Sequence, residues 1–166
     1  MEAVPSIFFL GKGGVGKSTC SSLKALCEAG HGKKALLVSL DPAHNLSDIF
    51  GMEFGDRPTR VNAHLDVVEV DQKKWARKFL NEVEHQVAKN FTYLSSFNLE
   101  KNFNILGHAP GMEEHAMFLA FQKLVTSTEG YGLIIFDMPP TALSLKFFML
   151  PQLSLHWIDQ LIKLRE

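Results

Sequence analysis

Nine residues, Gly11 through Thr19 (GKGGVGKST), restrict what this chain can fold into more than any other stretch. They fit the phosphate-loop pattern GxxxxGK followed by Ser or Thr. They also stand where that pattern works, after an apolar run from Ile7 to Leu10 and before a helix-forming segment. A strand, a tight turn and a helix are therefore expected. In such a turn Gly11, Gly13, Gly14 and Gly16 let consecutive backbone N–H groups face one concavity, Val15 and Thr19 complete the loop, and the positive end of the helix adds to the field. This geometry selects a polyphosphate. Lys17 would reach its outer phosphates, and the Ser18 hydroxyl would be an oxygen ligand of magnesium, a hard cation that bridges phosphate oxygens to one or two protein groups.

The helix is expected from Ser18 to Ala29, stopped by Gly30 and Gly32 with His31, Lys33 and Lys34 around its negative end. A second strand should follow at once, from Ala35 to Leu40, apolar throughout except for Ser39, as in a parallel strand covered on both faces. A right-handed crossover puts its C-terminal end at the ligand-binding edge, beside the phosphate loop. Asp41 leaves the strand there. Pro42 follows, then Asn45, Ser47 and Asp48, residues suited to backbone hydrogen bonds in a compact loop. On residue chemistry alone, Asp41 and Pro42 could equally end a strand and Asn45 cap a short helix.

Leu65 to Val70 reads as a strand, after a turn containing Pro58. Trp75, Phe79, Val83, Val87 and Phe91 form a helical stripe that fits a core face better than a cofactor or client surface. Residues 92–103 read as loop or broken helix. A further helix is expected from Gly111, with Pro110 before it and Glu113 and Glu114 in its first turn, where the helix dipole favours them. Leu133 to Phe136 followed by Asp137 is the Walker B pattern, a buried strand ending in a carboxylate beside magnesium and its waters. The segment Leu153 to Leu164, carrying Leu155, Trp157, Ile158, Leu161 and Ile162, reads as an amphipathic helix. Core packing is the expectation there, a dimer or client surface the alternative.

Lys12, directly before the paired glycines, makes the loop resemble the deviant Walker A of the class that holds partition ATPases, the nitrogenase iron protein and the arsenite-pump ATPases. DPAHNLSDIFG, Asp41 to Gly51, closely resembles switch I of the arsenite-pump and tail-anchored-protein targeting ATPase family. Asp137, Pro140, Thr141, Leu145, Leu150 and Pro151 match that family's switch II, whereas Ala142, Leu143 and Lys146 replace its glycine, histidine and arginine. The resemblance implies a doubly wound, mostly parallel α/β sheet. It also implies that residues 1–166 are a single phosphate-loop ATPase domain, the N-terminal half of a family member, with further strands and the adenine-gripping residues beyond it. It implies Mg·ATP hydrolysis with Asp41 holding the water, Lys17 and a cross-dimer Lys12 on the phosphates, magnesium on Ser18 and Asp137, and Gly11 to Thr19, Asp137 and Pro140 around the nucleotide. Glu114 would fall in a segment that senses nucleotide state at the dimer interface. The implied partners are a second copy of the chain and a client or membrane protein. A nucleotide-gated adaptor with little hydrolysis is the alternative. Arsenite itself has no support, because neither Cys20 nor Cys27 falls where the family's metalloid cysteines lie.

Composition narrows the partners. Net charge is −1 and the basic residues are scattered, so nucleic acid is not an expected ligand. No apolar run approaches a membrane span, and the chain enters the phosphate loop too early for a cleavable leader, which points to the cytosol and against membrane insertion. Cys20 and Cys27, two turns apart on one helix, have Cα atoms about 10 Å from each other, too far for a disulfide. They are expected as small buried apolar residues. The histidines show no zinc-like spacing with each other or with the cysteines.

Overall fold

The apolar runs form the middle of one sheet in the computed structural model, which describes residues 4–43, 45–90, 111–127 and 129–163. In chain order the elements are β1 (Ser6–Phe9), α1 (Lys17–Gly30), β2 (Ala35–Ser39), α2 (Asn45–Phe50), β3 (Thr59–Asn62) and β4 (Leu65–Glu69). Then come α3 (Gln72–Asn90), α4 (Met112–Thr126), β5 (Leu133–Asp137) and α5 (Thr141–Lys163). The strand order is β1-β5-β2-β4-β3, parallel throughout except that β3 runs antiparallel to β4. The chain is thus an α/β protein with a mostly parallel sheet, as expected. Sequence order does not dictate spatial order, however: β5, the Walker B strand, inserts between β1 and β2.

Alternate residues of each central strand point to opposite faces, and both faces are dry. One face carries Leu36, Val38, Val68, Ile134 and Phe136 against Met117 and Leu124 of α4 and Phe147 of α5. The other carries Leu37, Val67 and Ile135 against Ala25 and Ala29 of α1 and Leu46 of α2. Full burial of side chains of this size contributes roughly 1.5–3 kcal/mol each. β2, β4 and β5 are buried along their whole length, while no residue of β1 is fully buried.

Four expectations need correction. Cys20 and Cys27 are exposed, because α1 turns a different and smaller set inward, Ser21, Ser22, Ala25 and Ala29, which lets it approach the sheet closely. The stretch after Pro58 is a strand as well as a turn: β3 has little apolar content and owes its form to pairing with β4 across the short connection at Ala63 and His64. The segments before and after Pro151 are one helix, since a proline removes a single backbone donor and the flanking Leu, Lys, Met and Gln residues favour helix. The end of that helix does not pack into the core: Leu153, Leu155, Ile158 and Ile162 are 49–68% exposed. Phe91, residues 92–103 and Pro110 lie outside the described residues, as do the side chains of Val83, Val87, Glu113, Trp157 and Leu161. Among the described residues no helix is long and apolar enough to cross a membrane.

Candidate phosphate-binding site

Gly14 and Gly16 take φ angles of 75° and 85°, a left-handed backbone in which a side chain would be strained. Gly11 is packed closely instead, since a Cβ there would meet Val15 Cγ2 at 2.9 Å and the exposed valine would have to turn aside. α1 starts directly after Gly16, with no side-chain cap on its first turn and no acidic residue in it. Its first N–H groups are therefore directed at the loop with no carboxylate competing for them, the arrangement that binds phosphate at helix N-termini. Lys17 is only 8% exposed, and its Nζ donates to the Lys12 carbonyl oxygen at 3.3 Å, which folds the ammonium over the loop.

Strand register sets the other half of the site. Phe9, Asp137, Ser39 and Glu69 lie side by side across the C-terminal edge of the sheet. Two residues beyond Ser39, Asp41 is 7% exposed, accepts from the Ala43 amide at 3.0 Å and donates its own amide to Ser39 Oγ at 3.3 Å. Asn45 Nδ2 reaches Ser18 Oγ at 3.5 Å, so α2 touches the phosphate loop. Asp137 is fully buried, and neither of its oxygens has a hydrogen-bond partner among the described residues. Burial pushes its pKa up to about 6. The nearby Ser18 hydroxyl and Lys17 ammonium pull the other way without closing a hydrogen bond on it, and the Asp41 and Glu69 carboxylates add to the rise. A buried, orphaned oxygen pair beside a hydroxyl at the edge of a phosphate cradle is a donor set suited to a hard divalent cation.

The residues singled out from sequence converge only in part. Gly13, Gly14, Gly16, Lys17, Ser18, Thr19, Asp41 and Pro140 line one open cleft of about 490 Å³. Asp137 lies beneath it. Lys12 and Val15 are exposed at the loop surface, and Gly11 is outside the cleft lining. Glu114 is elsewhere, its carboxylate 3.4 Å from Lys146 Nζ, so that it ties α4 to α5. Asp48 and Ile49 join the lining of the cleft, and sequence reasoning placed neither of them there. It also passed over Glu69, although an acid inside the apolar run Val67-Val68-Glu69-Val70 was a signal that buried donors must lie nearby.

A family model described as anion-transporting ATPase matches residues 4–166. Among curated proteins, the chain is 34% identical over 166 residues to an ATPase ASNA1 homolog of Entamoeba histolytica, covering 96% of this chain and 50% of that protein. It is 37% identical over 147 residues to ATPase GET3 of Malassezia globosa, with 87% and 42% covered. Against ATPase GET3A of Arabidopsis thaliana it is 34% identical over 165 residues, with 99% and 43% covered. The chain spans about half the length of the curated relatives it matches.

Proposed function

Because the chain belongs to the anion-transporting ATPase family, we propose that it binds Mg·ATP in the cleft over the phosphate loop and hydrolyses the β–γ bond. The observation that carries this reading is Asp137, a fully buried carboxylate beside Ser18 with no hydrogen-bond partner among the described residues, under a glycine cradle and a helix N-terminus without a side-chain cap. Phosphoryl transfer needs little covalent help from protein, so the residues act by position and charge. The amides of residues 13–18 hold the phosphates, and Lys17 neutralises the outer ones. Ser18 and Asp137 would hold magnesium, which when bound supplies charge on the β- and γ-oxygens. Asp41 orients the attacking water as a hydrogen-bond acceptor at the mouth of the cleft. Pro140 lines the same cleft.

The output we propose is a switch between two copies of the chain in the cytosol, with exposed Lys12 reaching the partner's nucleotide, coupled to a client or membrane-protein partner. The exposed apolar residues of α5 favour a second emphasis, a nucleotide-gated adaptor whose product is a surface and whose hydrolysis only resets it. We propose further that residues 1–166 are the N-terminal half of such an ATPase, with β1, the outer strand, at the junction with the rest. Calorimetry of ATP binding with and without magnesium, followed by phosphate release, tests the core of the reading. Magnesium-dependent binding with turnover supports the ATPase, binding without turnover supports the adaptor, and no binding sinks both.

A further inference from the structure

Glu69 ends β4 at 2% exposure, one position across from Ser39. Its carboxylate does not face the cleft but is consumed by the backbone beyond Asp41. Oε1 accepts from the Leu46 amide at 2.7 Å and the Ser47 amide at 3.1 Å, and Oε2 accepts from Ser47 Oγ at 2.5 Å. Buried charge is tolerated only when hydrogen bonded, and bonds to a carboxylate are the short, strong kind. The same residue holds the far end of the segment. Its own amide donates to the Gly55 carbonyl oxygen at 3.1 Å, while Ser47 Oγ accepts from the Phe54 amide at 3.4 Å. Inside the loop, the Met52 amide donates to the Ser47 carbonyl oxygen at 3.2 Å. Residues 46–55 are therefore closed on one side chain and one amide of β4.

We infer that Glu69 is a positioning residue of this site: it locks 46–55 into one body anchored to the sheet and so sets where Asp41 and Asn45 stand. These are the groups that matter, Asp41 at the cleft wall and Asn45 against Ser18. With the body behind them fixed, the carboxylate and the amide keep their distance from the phosphates. Loss of the anchor would loosen the whole body and misplace Asp41 without touching the phosphate cradle. The inference rests on the ATPase reading for its kinetic consequence, but not for the clamp itself.

The test uses the whole chain and three variants, with ATP affinity, kcat and amide hydrogen exchange as readouts. Glu69→Ala should keep ATP affinity within about twofold and lower kcat about 10-fold or more, since small misplacements of a reacting group cost that much. The amides of Leu46 and Ser47 should exchange faster in it, with those of α1 unchanged. Glu69→Gln retains an oxygen for both amides and should restore most of kcat. Ser47→Ala keeps the two amide bonds to Oε1 but removes the hydroxyl that donates to Oε2 and accepts from the Phe54 amide, so exchange at Phe54 should rise while kcat falls only a few-fold, less than in Glu69→Ala. The inference is overturned if Glu69→Ala leaves kcat and the exchange of amides 46 and 47 at wild-type values, or if affinity and kcat fall together and Gln fails to rescue. Should the alanine variant not fold, wild-type exchange at Phe54 in Ser47→Ala would overturn it instead. A wild-type chain without turnover would sink the ATPase reading, and the exchange data would still decide the clamp.

Discussion

At the C-terminal edge of the sheet a carboxylate, Asp137, is fully buried with no hydrogen-bond partner among the described residues. Along the β1 and α5 flank the opposite holds, and Leu145, Phe148, Leu155 and Ile162 stand 46–68% exposed. The first arrangement costs electrostatic free energy, which a cation and the charges it accompanies relieve. The second costs hydrophobic free energy, and only apolar area can relieve it. β1 belongs to the second region although it leads into the first: Phe8 stacks on Phe136 with centroids 4.9 Å apart, yet no residue of the strand is fully buried. β3, the other outer strand, differs from both. It carries Arg60 and an irregularity between Arg60 and Asn62, and so presents an edge that resists further pairing. Two unmet requirements of opposite kind thus sit in one small domain, and they should respond to different perturbations.

The largest separation between them should come from Lys17→Ala. It removes the mobile charge on the phosphates and should weaken ATP binding roughly 100-fold or more while leaving sedimentation without nucleotide unchanged. Unchanged affinity by calorimetry would remove Lys17 from the site. Asp41→Asn should bind Mg·ATP like the wild type but release phosphate slower by on the order of 100-fold. Equal phosphate release, in an active preparation, would show that another group holds the water.

Asp137→Asn tests the electrostatic side by itself. The carboxyl is raised from 3.8 to about 6 on folding, so the folded state binds more protons between those values and the uncomplexed chain loses stability as pH rises through that window. The asparagine variant should lack this slope and be more stable than wild type at pH 7, by about 3 kcal/mol, while losing magnesium-dependent nucleotide binding. Urea unfolding at pH 4.5 and 7 measures both, and parallel slopes for the two proteins would mean that Asp137 is not the titrating group. The smallest effect is expected on the apolar flank. Without nucleotide the chain should self-associate, and Leu155→Lys with Ile158→Lys should weaken that association a few-fold, with ATP affinity within about twofold of wild type. Sedimentation velocity decides it. A wild-type chain that is monomeric at high concentration would show that the exposed apolar face is tolerated as it stands.

Residues 11–19 could be read directly because a phosphate loop is local chemistry. Glycines at fixed offsets, a lysine and a hydroxyl lie within one short stretch of chain, and Gly14 and Gly16 take left-handed backbone angles that glycine adopts without strain. Asp41 and Asp137 were legible for a related reason, each being the polar end of an apolar run whose C-terminal edge any parallel sheet brings to the ligand side. Everything that depends on which strand lies beside which had no local signal. That includes the insertion of β5 between β1 and β2, the pairing that makes β3 a strand, and the row Phe9, Asp137, Ser39 and Glu69. The inward face of α1 was set by how close a helix of small residues can approach the sheet, which left both cysteines outside. Glu69 belongs to the same class: its donors lie 22 and 23 residues earlier in the chain, and only the folded sheet brings them to its carboxylate.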